Sequence, residues 1–315
     1  MSRGLVTVTG ATGFLGRHLV PALVADGWRI RVLARRDVIH PLWRDLEVEV
    51  VPGELGDERA LDIACSGADL IVHAAGLIKA RSRSAFFAVN ADGARRVAER
   101  AQGAMLLISS LAAREPGLSD YAASKRAGEI AAQDVLGDRL TIVRPPALYG
   151  PGDPETLPLF QLAAASPVLP VLDPKARMAM MHVEDAARQI AALTGAAGGQ
   201  TVTLSDGRPE GYGWREVLQT AAEAFGRRPR VQRIPSVALK LVAALGVVQS
   251  GGSPPMLTFG KLREIAHPDW SVAQAERAEG LPPSRFNLAE GFLHTILAYE
   301  AAGVRFHNPP VRPAI

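Results

Sequence analysis

The stretch VTVTGATGFLGRHL, residues 6–19, decides the fold. Its first residues are apolar and β-branched, the composition of a buried strand. Gly10, Gly13 and Gly16 then punctuate the chain, which reads on as a helix from about Gly13 to Asp26, ended by Gly27. Each glycine has its own task at such a junction. The first lets the chain turn sharply, the second lets backbone approach a pyrophosphate, and the third lets helix and strand pack closely. The amides at the helix start then face the anion. Gly10, Thr12, Gly13, Phe14, Leu15 and Gly16 are therefore the candidate phosphate cradle.

Outward from this loop the chain alternates. Strands are expected at 29–34, 48–53, 69–76, 104–110 and 140–145, and helices at 58–67, 85–102 and 121–136. Most of the strands are apolar on both faces, which predicts a parallel sheet covered by helices on both sides. The fold class is α/β, a Rossmann-type doubly wound parallel sheet. After about residue 147 the rhythm breaks. LYGPGDPETLP (148–158) and ASPVLPVLDPKA (165–176) read as loops. A helix at 184–194, a short strand at 200–206, a helix at 214–226, an apolar segment at 235–248 and a terminal helix at 288–303 follow. Residues 1–147 are read as the dinucleotide-binding domain. Residues 148–315 are read as a smaller α+β substrate lobe, with a segment near 183–206 returning to the sheet. The substrate pocket is expected between the two.

The totals exclude several classes. A formal charge of +3, with both signs dispersed, leaves no basic block for nucleic acid. Cys65 is the single cysteine, so neither an internal disulfide nor a cysteine-based zinc site can form, and the seven histidines show no ligand spacing. No metal is expected. VALKLVAALGVV (237–248) carries Lys240 and is too short to span a bilayer. A cytoplasmic protein is expected, and membrane contact through a surface helix is the less favoured reading of such apolar stretches.

SDYAASKRAGE (119–129) carries the chemistry. Tyr121 and Lys125 are four apart on an expected helix and share a face. An ammonium beside a phenol, together with a positive nicotinamide ring, would favour the phenolate and ready it for proton exchange with a carbonyl oxygen. Lys125 would also hold the nicotinamide ribose. The preceding strand ends in Ser109 and Ser110, and a hydroxyl there can donate to the same oxygen.

These residues together resemble the extended short-chain dehydrogenase/reductase family, which includes nucleotide-sugar epimerases, dihydroflavonol reductases and 3β-hydroxysteroid dehydrogenases. TGATGFLG has that family's glycine spacing, and the resemblance covers nearly the whole chain. It implies further roles. NAD-selective members end the second strand with aspartate. Ala34 stands there instead, and Arg35 and Arg36 follow, suited to a 2′-phosphate. NADP(H) is thus the expected cofactor, with NAD(H) as the alternative. Glu54 and Leu55 match the family's adenine-contacting Asp-Leu, with Asp57 as a substitute. Ala74, Ala75 and Gly76 match the loop that lets the dinucleotide pass, and Pro145 and Ala147 fall among the remaining cofactor contacts. Ser110 matches the family's serine, although the following AARE departs from the pattern and leaves Ser109 open. Asn90 matches the asparagine that supports the lysine.

VRPPALYGPGD (143–153) separates the branches. Nucleotide-sugar enzymes carry asparagine where Ala147 stands, whereas reductases of the dihydroflavonol and hydroxysteroid type carry a small residue. HVED (182–185) matches a family helix start, where Asp185 charges the N-terminus and His182 is read as packed. The expected activity is NADP(H)-dependent hydride transfer to or from a carbonyl or secondary alcohol of a fairly apolar small molecule. The rivals are a nucleotide-sugar epimerase or dehydratase with bound NAD, and a non-catalytic NADPH-binding subunit like that of respiratory complex I. The resemblance also implies a homodimer.

Overall fold

A computed structural model describes residues 3–35, 40–196, 198–234 and 259–312. Arg36 and the apolar segment 235–248 lie outside the described residues. The first half alternates as the sequence implies: β1 (Leu5–Thr9), α1 (Phe14–Ala25), β2 (Arg29–Ala34), β3 (Val48–Pro52), α2 (Glu58–Cys65), β4 (Leu70–His73), α3 (Arg83–Asn90), α4 (Asp92–Arg100), β5 (Ala104–Ile108), α5 (Asp120–Leu136) and β6 (Leu140–Arg144). With β11 (Gln200–Thr203) these strands form one seven-stranded sheet in the order β11-β6-β5-β4-β1-β2-β3. Every pairing in it is parallel. The order reverses between β1 and β4. The crevice outside their carboxyl ends is where such sheets bind ligands.

Strand alternation builds two cores from single apolar runs. In β5, Leu106 and Ile108 join Val6, Val8, Leu19, Val72 and Ile190 on one face. Met105 and Leu107 join Leu61, Val97 and Ala132 on the other. Such strands cannot show a polar face, which is why their sequences read as continuous apolar runs.

The helix expected at 85–102 is two helices. They divide at Ala91, whose φ is −98° and ψ −61°. Asn90 turns its amide onto the Leu77 backbone at this point, and Gly93, a poor helix former, follows directly.

The second half holds more regular structure than its prolines suggest. The reading of 148–158 and 165–176 as loops is corrected at three places. β7 (Ala147–Tyr149) pairs with β10 (Met180–His182), α6 spans Leu157–Ala165, and β8 (Val168–Val171) pairs with β13 (Arg230–Arg233). Pro158 sits in the first turn of α6, where its missing N–H costs nothing, and Pro170 sits in a two-stranded sheet with an open edge. β9 (Arg177–Met178) lies between β12 (Tyr212–Gly213) and β14 (Asp269–Trp270). α7 (Val183–Leu193) packs its Ala186, Ala187 and Ile190 into the first core. α8 (Trp214–Glu223), α9 (Phe259–Ala266) and α10 (Leu288–Ala301) complete the lobe. A third core gathers Tyr149, Phe160, Leu169, Val217, Phe292 and Ile296, with Phe292 edge-on to Tyr149 and Phe160 at 5.0 and 5.1 Å between ring centres. Among the described residues no helix is long and apolar enough to cross a membrane.

Candidate active site

The glycine loop leaves β1 at Gly10, whose φ of +72° is one that side-chain-bearing residues rarely adopt. A Cβ there would lie 2.4 Å from the Ala75 backbone nitrogen, and one at Gly16 would lie 2.2 Å from the Gly10 carbonyl oxygen. Backbone from β1, α1 and the β4 loop therefore meets at a distance only glycine permits. Gly13 caps α1 without a side-chain hydrogen bond, and the first turn holds no acid. Thr12 and Gly13 are exposed, while Phe14 and Leu15 are half-buried. The first-turn amides of a helix, reached by a bare backbone, fit a pyrophosphate. Gly10→Ala is expected to destabilise the fold by about 1–3 kcal/mol and to abolish any rise in melting temperature on adding a nicotinamide dinucleotide. Thermal unfolding with and without the nucleotide measures both effects.

Around the crevice the other singled-out residues take defined places. Ala34 is buried at the end of β2 and Arg35 is exposed just beyond it. Glu54 is exposed at the end of β3. Asp57 is occupied as the cap of α2, accepting from the Ala60 N–H at 3.0 Å. The Leu55 carbonyl accepts from Arg96 at 2.8 Å. Ala74 N–H donates to the Thr9 carbonyl, which ties the β4 loop to β1. The Pro145 carbonyl accepts from Leu111 N–H, and Ala147 is exposed on β7.

The polar cluster stands at the carboxyl end of β5. Tyr121 lies in the first turn of α5, where the Ser110 hydroxyl acts on its phenol. Ser110 itself caps a short turn by accepting from Ala112 N–H at 3.2 Å. Ser109, one residue earlier, donates instead to Glu129 Oε1 at 2.6 Å. Lys125 Nζ donates to the Ile108 carbonyl at 2.8 Å. Asn90 is fully engaged. Its Oδ1 accepts from Leu77 N–H, and its Nδ2 donates to the Leu77 carbonyl and to Ser124 Oγ. It fixes the loop after β4 against α5, and Gly76 passes beside both Asn90 and Lys125.

Burial dominates the electrostatics of Tyr121 and Lys125. Burial pushes the Tyr121 phenol up to about 12, against the lowering effect of the Ser110 hydrogen bond and with a further rise from Glu264. Burial also lowers Lys125 to about 8. Burial thus disfavours the charged form of each group.

Four partners here were not singled out from the sequence. Glu129, 1% exposed, takes a two-pronged bond from Arg144 at 2.8 and 2.7 Å. Ser124 links Asn90 to the Tyr121 carbonyl, and Glu264 reaches α5 from the far end of the chain. Glu129 follows Lys125 by one turn, the only local signal among them. A cavity of about 590 Å³ opens in the C-terminal half, lined by Asp206, Arg208, Tyr212, Glu216 and residues 284–290, which run into the start of α10. The ligand atoms of His182, Glu184 and His294 also approach within 4.8 Å of one another. His182 Nδ1 accepts from Glu184 N–H, so its proton sits on Nε2, which faces His294 Nδ1 at 3.2 Å. His182 thus has no lone pair left for a metal, and it packs against Phe286 with ring centres 4.0 Å apart.

Comparison with known proteins places this geometry. A ceramide reductase of Caulobacter vibrioides is 55% identical over 307 residues, 96% of each chain. The mitochondrial NADH dehydrogenase [ubiquinone] 1 alpha subcomplex subunit 9 of Dictyostelium discoideum is 26% identical, covering 68% of this chain and 62% of its own. The solved structure of MoeE5 in complex with UDP-glucuronic acid and NAD superposes with a TM-score of 0.70 at 21% identity, over 95% of this chain and all of that one. The sequence model of the NAD dependent epimerase/dehydratase family matches residues 6–203, the span from β1 to β11 that carries the glycine loop and the Ser110–Tyr121–Lys125 cluster. The chain therefore belongs to the NAD-dependent epimerase/dehydratase family, as an NAD(P)-dependent oxidoreductase of the extended short-chain dehydrogenase type.

Proposed function

We propose that this chain is an NADPH-dependent reductase of a ketone group in a long-chain lipid of the ceramide class. The carrying observation is Ser110 at the carboxyl end of β5, with Tyr121 in the first turn of α5 and Lys125 one turn further on, in a chain 55% identical to a ceramide reductase. A ceramide carries secondary alcohols, and a reductase forms such an alcohol from the corresponding ketone.

When bound, the nicotinamide supplies the hydride. Ser110 donates to the carbonyl oxygen and steadies the negative charge that grows there. Tyr121, held as a phenol by its buried setting, gives that oxygen its proton. Lys125 and Asn90 hold the floor of the site, Lys125 through Ile108 and Asn90 through Leu77, and Lys125 is placed to bind the nicotinamide ribose. Gly10 to Gly16 receive the pyrophosphate. Ala147 offers no donor to a nucleotide sugar, which speaks against the epimerase reading. The retained serine, tyrosine and lysine speak against an accessory subunit without turnover.

Arg35 supports the choice of NADPH, since its guanidinium follows β2 where an acid would repel a 2′-phosphate. Arg35→Asp is expected to weaken NADPH binding about 10- to 100-fold while leaving NADH within a few-fold, the scale of one charge-assisted hydrogen bond. Titration of both nucleotides by calorimetry reads this. Tighter NADH than NADPH binding to the unaltered chain overturns the cofactor assignment. The reaction is tested by incubating the pure protein with a 3-oxo-ceramide and NADPH and following lipid alcohol by mass spectrometry. No product from that ketone overturns the substrate class.

A further inference from the structure

AARE (112–115), the stretch that departs from the family pattern, forms most of a turn that begins at Ser110. Ser110 caps this single 3-10 turn, Leu111–Arg114. Its Oγ accepts from Ala112 N–H at 3.2 Å, and its carbonyl accepts from Ala113 N–H at 3.0 Å. Both bonds use acceptors, so the hydroxyl proton of Ser110 stays available for a reacting oxygen. One turn of 3-10 helix has few bonds of its own, and their geometry is poor. Its shape is set by what it rests on.

It rests on the C-terminal lobe. Arg114, at the far end of the turn, donates from Nη1 to the Ser271 carbonyl at 2.8 Å and from Nη2 to the Asp269 carbonyl at 2.7 Å. Its guanidinium also lies 5.8 Å from the centre of the Trp270 ring and 3.9 Å from Glu276. Leu111 packs with Ala179, Val272 and Trp270 in a small core of its own. The support is itself tied down. The Trp270 carbonyl accepts from Ala179 N–H at 3.1 Å, and Val272 N–H donates to the Pro209 carbonyl at 2.7 Å. On the other side of Ser110, Ser109 is held by Glu129, whose partner Arg144 reaches Glu276 at 3.6 Å. Both ends of the 109–114 stretch thus join one chain of charges, Glu129–Arg144–Glu276–Arg114.

We propose that Arg114 is a positioning residue for Ser110: by fastening the turn that Ser110 caps onto the Asp269 and Ser271 carbonyls, it holds the Ser110 hydroxyl where the substrate's carbonyl oxygen gains charge. This rests on the reading of Ser110 as the donor to that oxygen.

Arginine suits this task and lysine does not. Two carbonyls two residues apart need two donors at a fixed separation. A planar guanidinium supplies them, and a single ammonium on a flexible stem does not. Precision matters because a donor stabilises a growing charge only if it stands in place before the charge appears. A displacement of about 1 Å costs on the order of 10²-fold in rate. The polar part of the fastening rests on one side chain, so its loss frees the turn on that side.

The test is a double-mutant cycle of Arg114→Ala and Ser110→Ala, read as single-turnover reduction of a 3-oxo-ceramide by NADPH. R114A is expected to lower the rate about 10- to 100-fold, with nucleotide affinity unchanged. R114K is expected to lower it about 3- to 10-fold, since an ammonium holds one carbonyl at a time. In the S110A background R114A should cost less than about twofold, because no hydroxyl is left to misplace. A side chain that merely supported the fold would slow S110A as much as the unaltered chain. An equal loss in both backgrounds therefore overturns the inference, and so does full activity of R114A beside an impaired S110A. Full turnover of S110A overturns the reading of Ser110 and the inference with it. Hydrogen exchange reads the turn without any substrate. Exchange of the Ala112, Ala113 and Glu115 amides is expected to speed up about tenfold in R114A. Unchanged protection there overturns the inference whichever ketone the enzyme takes. Should R114A fail to fold, R114K carries both measurements.

Discussion

Tyr121→Phe is expected to lower kcat about 10²- to 10⁴-fold, the range of a positioned proton donor, with nucleotide affinity unchanged. The argument rests on what the substitution leaves in place. The ring of Tyr121 still packs beside Phe86, Lys125 Nζ still holds the Ile108 carbonyl, and Ser110 still caps its turn through Ala112. Only the proton is lost. The phenol, pushed up to about 12 by burial, is in its donating form throughout the neutral range. The unaltered enzyme should therefore show no acid-side loss of reduction that traces to Tyr121. Single-turnover reduction separates this chemical step from product release, and nucleotide fluorescence gives the affinity. Retention of full turnover would move the proton donor elsewhere.

The elements that carry the candidate site were legible in the sequence. Gly10, Gly13 and Gly16 announce their junction because a strand, three glycines and a helix must follow in that order. Tyr121 and Lys125 announce a shared helix face by their spacing. The choice between Ser109 and Ser110 was not legible. Both serines follow the last residue of β5, and Ser109 is engaged by Glu129, whose pairing with Arg144 arises only from the packing of α5 on β6. Glu264 was illegible for the same reason, since nothing near residue 264 in sequence refers to Ser119. In the C-terminal half the strands are two to four residues long, too short for any period to show, and Pro158 and Pro170 sit where the backbone tolerates them.

Glu129→Gln is expected to destabilise the fold by about 3–5 kcal/mol, because it strands a buried guanidinium. Arg144 is 7% exposed and gives both prongs to Glu129, with Glu276 a looser second partner at 3.6 Å. Burial alone would push the Glu129 carboxyl up. The hydrogen bonds from Arg144 and Ser109 outweigh it and hold the group below the usual carboxylate range. A carboxyl depressed in the folded state adds stability that is complete above its unfolded value and is lost as pH falls through the folded value. The gap between the unaltered chain and E129Q should then be full at neutral pH and close on acidification, which urea denaturation at a series of pH values measures. Removing both partners should cost far less than removing one. Glu129→Leu with Arg144→Met leaves no charge to strand, although Ser109 loses its acceptor, and the pair is expected to recover most of the loss. A double variant as unstable as the sum of its singles would mean that each residue acts through separate packing.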